Sequence, residues 1–142
     1  MQELSFLYKL DDIDQTAEQI IRQADDIKIW LLEGEMGAGK TTLVKAISEA
    51  LGAEGDLSSP TYSLVNEYPM SDGSGDVFHL DLYRLRSLEE AIDIGIEEYL
   101  FSGSYCLIEW PRLIMPLLKK GEYLTIEITP IAENERKITI FI

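Results

Sequence analysis

The chain has a single cysteine, Cys106, and a single histidine, His79, among its 142 residues. One thiol forms no internal disulfide, and one thiol with one imidazole cannot assemble a zinc site of nitrogen and sulfur ligands. Zinc is therefore not expected, and any metal is a hard cation held by oxygens. Basic residues are also scarce, 12 Lys and Arg against 26 Asp and Glu, for a formal charge of −14. Such a surface repels the phosphates of nucleic acid and of anionic lipid, so contact with RNA is expected only indirectly, through something else that grips it. The plainer reading of the acidity is solubility alone. No apolar run approaches the roughly 20 residues needed to cross a bilayer, and the N-terminus lacks the basic, apolar and small-residue pattern of a secretory signal. No membrane contact and a cytoplasmic location are expected.

Apolar residues make up 46% and charged residues 27%, the balance of a globular protein. The length suits one domain spanning residues 1–142. Ile13, Ala17, Ile20, Ile21 and Ala24 recur at helical spacing, which predicts an amphipathic helix over 12–25. Residues 27–33 hold the compact run Ile29-Trp30-Leu31-Leu32, as in a strand buried on both faces, and hence a parallel sheet. Leu43, Ala46, Ile47, Ala50 and Leu51 predict a second helix ending at Gly52. Loops are expected over 55–61 and 71–75. Further strands are expected over 62–68, 76–83 and 104–109, with a terminal strand pair over 123–129 and 137–142. Ser87 and Glu90 form a capping box for a helix beginning near Leu88.

Between the first buried strand and the second helix lies Gly34-Glu35-Met36-Gly37-Ala38-Gly39-Lys40-Thr41, the pattern of a phosphate-binding loop in its required strand-before, helix-after context. Its glycines permit backbone angles and close approaches that a side chain would block, so that successive N–H groups turn toward phosphate oxygens. The following helix adds its N-terminal dipole. Lys40 is expected to reach the outer phosphates and the Thr41 hydroxyl to ligate magnesium, with Thr42 continuing the helix. Holding phosphates is not hydrolysing them, and carboxylates at strand ends are the candidates for the remaining work. Asp81 ends one strand and Glu109 another, where ligands bind in open α/β sheets, and either is placed to serve the magnesium.

Ser58-Ser59-Pro60-Thr61-Tyr62 lies where nucleotide switches carry a γ-phosphate sensor, so Thr61 is a candidate contact to magnesium or phosphate; the alternative is a plain turn. Arg84 and Arg112 each stand three residues beyond a candidate acid and are candidates for neutralising transition-state charge, against the commoner fate of a surface salt bridge. His79 reads as a hydrogen-bonded structural or orienting residue rather than a general base. Trp110 fits either core packing or a cover over the nucleotide or a partner contact.

Together the loop at 34–42, Ser59-Pro60-Thr61-Tyr62, His79-Leu80-Asp81-Leu82-Tyr83-Arg84-Leu85 and Ile108-Glu109-Trp110-Pro111 resemble the TsaE family in order and spacing over most of the chain. The block around Asp81 is the more specific part, since many nucleotide enzymes share the loop. The resemblance implies an α/β fold of the P-loop NTPase kind, a three-layer sandwich with a mostly parallel central sheet and a C-terminal strand pair. It also implies an ATPase that works with TsaB and TsaD, which make the threonylcarbamoyl modification on the adenosine beside the tRNA anticodon, without itself transferring that group. ATP and Mg2+ are the implied cofactors. By motif, Glu35, Met36, Gly37, Ala38, Gly39, Lys40, Thr41 and Thr42 bind the nucleotide, and Thr41 and Glu109 hold magnesium. Asp81 becomes the Walker-B-like acid, Thr61 senses the nucleotide state, and Trp110 matches a position tied to activity. Asp11 and Arg136 mark the segments that close the adenine pocket in that family. Arg112 departs from the acidic or polar residue common there.

Two other readings remain in view. A small-molecule kinase shares the loop but needs an acceptor pocket and an arginine-bearing lid, and no arginine-rich insertion is present. A non-catalytic, nucleotide-gated interaction module would keep Lys40 and Thr41 while tolerating loss of Asp81 or Glu109. A GTPase is excluded by the lack of an Asn-Lys-x-Asp element for guanine.

Overall fold

The computed structural model describes residues 2–55 and 64–142. Its centre is a seven-stranded sheet in the order β1-β7-β6-β2-β5-β4-β3. The strands are β1 (Glu3–Lys9), β2 (Ile29–Glu33), β3 (Val65–Pro69), β4 (Asp76–Asp81), β5 (Tyr105–Glu109), β6 (Tyr123–Ala132) and β7 (Glu135–Phe141). The helices are α1 (Ile13–Ala24), α2 (Lys40–Ala50), α3 (Leu88–Asp93) and α4 (Ile96–Leu100), with 3-10 turns at Leu10–Asp12 and Pro111–Leu117.

Strand β2 explains the layering. Its side chains alternate with a period of two, so Trp30 and Leu32 enter one apolar cluster and Ile29 and Leu31 the other. On the first face Ile20 of α1 and Leu43 and Ile47 of α2 pack with Leu124, Ile126, Ile138 and Ile140. On the second, Ala91 of α3, Ile96 and Leu100 of α4 and Ile114 pack with Phe78, Leu80 and Ile108. Helices thus cover both faces of the sheet. Each large side chain withdrawn from water in this way contributes about 1.5–3 kcal/mol before conformational entropy is set against it.

The sheet is mixed, and the expectation of a mostly parallel one is corrected. β6, β2, β5 and β4 run parallel, but β1 with β7, β7 with β6 and β3 with β4 are antiparallel. Connection length accounts for the β3–β4 and β6–β7 pairs. Only residues 133–134 separate β6 from β7 and only 70–75 separate β3 from β4, and a parallel return needs a crossover of a dozen or more residues. The terminal pair was expected, although both of its strands begin or end beyond the expected bounds. β1 was not expected at all. Of the strand expected over 62–68, residues 62 and 63 lie outside the described residues.

Among the described residues no helix is long and apolar enough to cross a membrane.

Candidate functional site

The parallel centre of the sheet brings three strand ends together. Asp81 closes β4 and Glu109 closes β5, directly opposite each other in register, while Leu32 of β2 pairs with Glu109 on its other side. The chain leaving β2 at Glu33 turns through the glycine-rich loop and re-enters structure as α2, whose first residue is Lys40. Gly34 is where the loop passes β6: a Cβ there would stand 2.8 Å from the Ile128 carbonyl oxygen, closer than real Cβ atoms come. Gly39, the residue capping α2, has φ 105°, a conformation that side-chain-bearing residues adopt only with strain.

Lys40 and Thr41 then face the two acids. The Thr41 hydroxyl donates to both carboxylate oxygens of Glu109, at 3.1 Å each. His79, two residues before Asp81 on β4, places its Nε2 2.6 Å from Glu109 Oε2. Glu109 is only 3% exposed, so these two donors are what make a buried carboxylate tolerable. His79 is thus hydrogen-bonded directly to the acid. Lys40 is also buried; its ammonium donates to the Gly34 carbonyl at 2.7 Å and sits 3.4 Å from the centroid of the Trp110 ring. Burial lowers the Lys40 pKa, and the charges of Glu109, Asp81 and Glu33 draw it back upward. Asp81 accepts from the Tyr83 backbone N–H at 3.2 Å.

Trp110 owes its position to an unusual backbone. It lies in the left-handed region, φ 57° and ψ 57°, immediately before Pro111 opens a 3-10 turn. The sharp turn after β5 returns the indole over Lys40, where Tyr83 packs on it at 5.0 Å between ring centroids.

Most of the residues expected at the site line one cleft of about 430 Å3: Met36, Gly37, Gly39, Lys40, Thr41 and Thr42 from the loop side, and Asp81, Arg84, Glu109 and Trp110 from the strand side. Four do not. Ala38 is fully buried, and Glu35 faces a separate hollow with Glu33, Glu127 and Thr129. Asp11 is exposed in the 3-10 turn after β1, and Arg136 on β7 donates to the Ala38 carbonyl oxygen without lining the cleft. Thr61 lies outside the described residues. Arg112 is exposed and is not part of the cleft lining. Tyr83 and Leu64 complete that lining without having been expected there. For Tyr83 the signal was present, since a strand that delivers Asp81 to the cleft carries the residues just beyond it to the same rim.

As a cation site the oxygens suit magnesium. The chemistry is one hydroxyl and one carboxylate in contact, with a second carboxylate on the neighbouring strand, and among the described residues no cluster of three acidic, His or Cys side chains forms an all-protein metal cage. Magnesium characteristically takes one or two protein oxygens and completes its shell with water and substrate phosphates.

Fold and site thus define an α/β protein with a mixed sheet, in which a glycine-rich loop and the carboxylates at two parallel strand ends converge on one cleft. The chain belongs to the TsaE family, whose model, described as threonylcarbamoyl adenosine biosynthesis protein TsaE, matches residues 7–138. A Bacillus subtilis (strain 168) relative described as tRNA threonylcarbamoyladenosine biosynthesis protein TsaE is 41% identical over 111 residues, covering 78% of this chain and 67% of the relative. A relative of the same description from Treponema pallidum is 35% identical over 120 residues, covering 84% of this chain and 85% of its own. The crystal structure of Bacillus subtilis YdiB matches with a TM-score of 0.73 and 29% identity, over 98% of this chain and 84% of that one. The family is one involved in tRNA threonylcarbamoyladenosine biosynthesis.

Proposed function

We propose that the chain is the magnesium-dependent, ATP-binding and ATP-hydrolysing subunit of the tRNA threonylcarbamoyladenosine machinery, with a P-loop fold, a cytoplasmic location, and TsaB and TsaD as its protein partners. The observation that carries this reading is the meeting of Lys40 and Thr41, at the start of α2, with Glu109 and Asp81 at adjacent strand ends. A loop that turns its N–H groups on phosphates, a lysine beside it and a hydroxyl–carboxylate pair form the working set of a phosphoryl-transfer site. tRNA is reached through the partners, consistent with a chain of formal charge −14.

In this reading Lys40 exchanges the Gly34 carbonyl for the outer phosphates. Thr41 and Glu109 hold magnesium, which when bound neutralises charge on those phosphates. Asp81 is the acid positioned toward the attacking water, His79 keeps the Glu109 carboxylate aimed, and Trp110 with Tyr83 excludes water from the lysine. Arg84, at the exposed rim, is left to meet transition-state charge or a partner.

Phosphate release from ATP, followed with and without TsaB and TsaD for wild type and Glu109→Ala, tests the proposal. The expected result is slow release that the partners alter, with loss of at least about tenfold in the variant, since an acid in the metal shell is removed. Hydrolysis indifferent to both partners, accompanied by phosphate transfer to a small metabolite, would sink it.

A further inference from the structure

Arg136 approaches the glycine loop from β7, and it does not line the cleft. Its Nε donates to the Ala38 carbonyl at 3.0 Å. Its Nη1 donates to the carbonyls of Ala132 at 2.9 Å, Glu135 at 3.0 Å and Glu133 at 3.3 Å, which surround the turn between β6 and β7. One half-buried guanidinium therefore ties the loop to the terminal hairpin. Tyr8 stands opposite Arg136 in the β1–β7 register. Burial raises the pKa of that phenol and the Arg136 charge pulls it back down, so the phenol and the guanidinium are near neighbours on adjacent strands.

The consequence follows from peptide geometry. All peptide bonds among the described residues are trans, and in a trans peptide the C=O and the following N–H lie in one plane and point in opposite directions. Anchoring the Ala38 oxygen on Arg136 thus aims the Gly39 N–H the other way. Ala38 is buried and Gly39 lines the cleft, so that other way is toward the cleft. Gly39, with φ 105°, has no Cβ to resist rotation of this peptide, and a flip would present a carbonyl oxygen where an anion must bind. We infer that Arg136 is a positioning residue for the phosphate site: it pins the Ala38 carbonyl and so keeps the Gly39 N–H turned into the cleft. The inference rests on reading the cleft as a phosphate site, and it gives Arg136 a different role from the adenine contact that the family resemblance implies.

Lysine at 136 would keep the charge, but its single nitrogen cannot serve the Ala38 oxygen and the hairpin carbonyls in the same fork geometry. The full chain as wild type, Arg136→Lys and Arg136→Gln is titrated, with magnesium present, against ATP and against tripolyphosphate, which has no base. Both variants are expected to lose affinity for the two ligands by the same factor, about tenfold or more, as for removal of a charge-assisted hydrogen bond. The Gly39 amide is expected to shift in its nitrogen–proton NMR correlation and to exchange faster, a change that a general loss of stability would not confine to the loop.

A loss restricted to ATP, with tripolyphosphate unaffected, would overturn the inference and return Arg136 to a base contact. Unchanged affinity for both ligands, or a Gly39 amide unmoved in either variant, would overturn it equally. Failure of the wild type to bind either ligand would remove the phosphate-site reading itself, and so is distinguishable from failure of the inference alone.

Discussion

Lys40 carries a charge in a place where water barely reaches it, 5% exposed. The Gly34 carbonyl and the Trp110 face replace part of its hydration, but desolvation still outweighs the neighbouring acids and holds its pKa below the ordinary lysine value of 10.5. The sign for binding is direct. The ammonium attracts phosphate, the neutral amine does not, and a lowered pKa moves the loss of the proton to lower pH. ATP affinity, measured from about pH 7 to about pH 10, is therefore expected to fall at the alkaline end, beginning at a lower pH than a solvated lysine would set. In Lys40→Met the affinity should be weak and flat across the range. A wild-type affinity that stays level to the top of the range would contradict this account. The residue types at the site were legible from the sequence because the loop pattern is demanding. On strand-end position alone Asp81 and Glu109 have equal claims to the threonine; the family resemblance names Glu109, and the structure shows its carboxylate accepting from Thr41 with His79 as its second donor.

At the scale of elements, α1 and α2 follow their apolar spacing closely, because an amphipathic stripe has one way to face a sheet. The cap of α3 is also legible, with a displacement. Ser87 accepts from the Glu90 N–H at 3.2 Å, as the capping box requires, whereas the Glu90 carboxylate accepts from the Arg86 N–H at 2.7 Å rather than from that of Ser87. β1 is poorly legible in the sequence because Leu7, on its exposed face, interrupts the alternation of Leu4, Phe6 and Tyr8. The end of α1 is strained. Asp25 has φ 53° and ψ −119°, a conformation that costs a residue with a Cβ about 1–3 kcal/mol. Asp25→Gly should accordingly stabilise the protein, by about 1 kcal/mol after the added flexibility of the unfolded chain is subtracted. Urea unfolding reads this as a midpoint shift upward at constant slope, and a downward shift would show that the Asp25 side chain holds the turn.

Over the whole molecule, the charge of −14 predicts that the isolated protein leaves bare tRNA unbound at physiological salt, because each phosphate contact must be made by a cation that releases counterions. Filter retention of labelled tRNA checks this, and micromolar retention by the protein alone would break the argument for indirect contact. The sheet is also a whole-molecule property. The apolar run of β2 reports a strand buried on both faces, but sequence pattern does not report the direction of the other strands, which depends on which of them become neighbours. The short connections at residues 70–75 and 133–134 make β3–β4 and β6–β7 antiparallel. By itself the sequence determined the α/β class, the glycine loop between strand and helix, the two strand-end acids and the acidic surface, because each depends on residues adjacent in the chain or on simple sums over it. Tertiary structure alone decided the Thr41–Glu109–His79 cluster, the Trp110 ring over Lys40 and the Arg136 anchor on Ala38. Those contacts join residues 68, 30, 70 and 98 positions apart, and no local pattern encodes which distant strand end a side chain will meet.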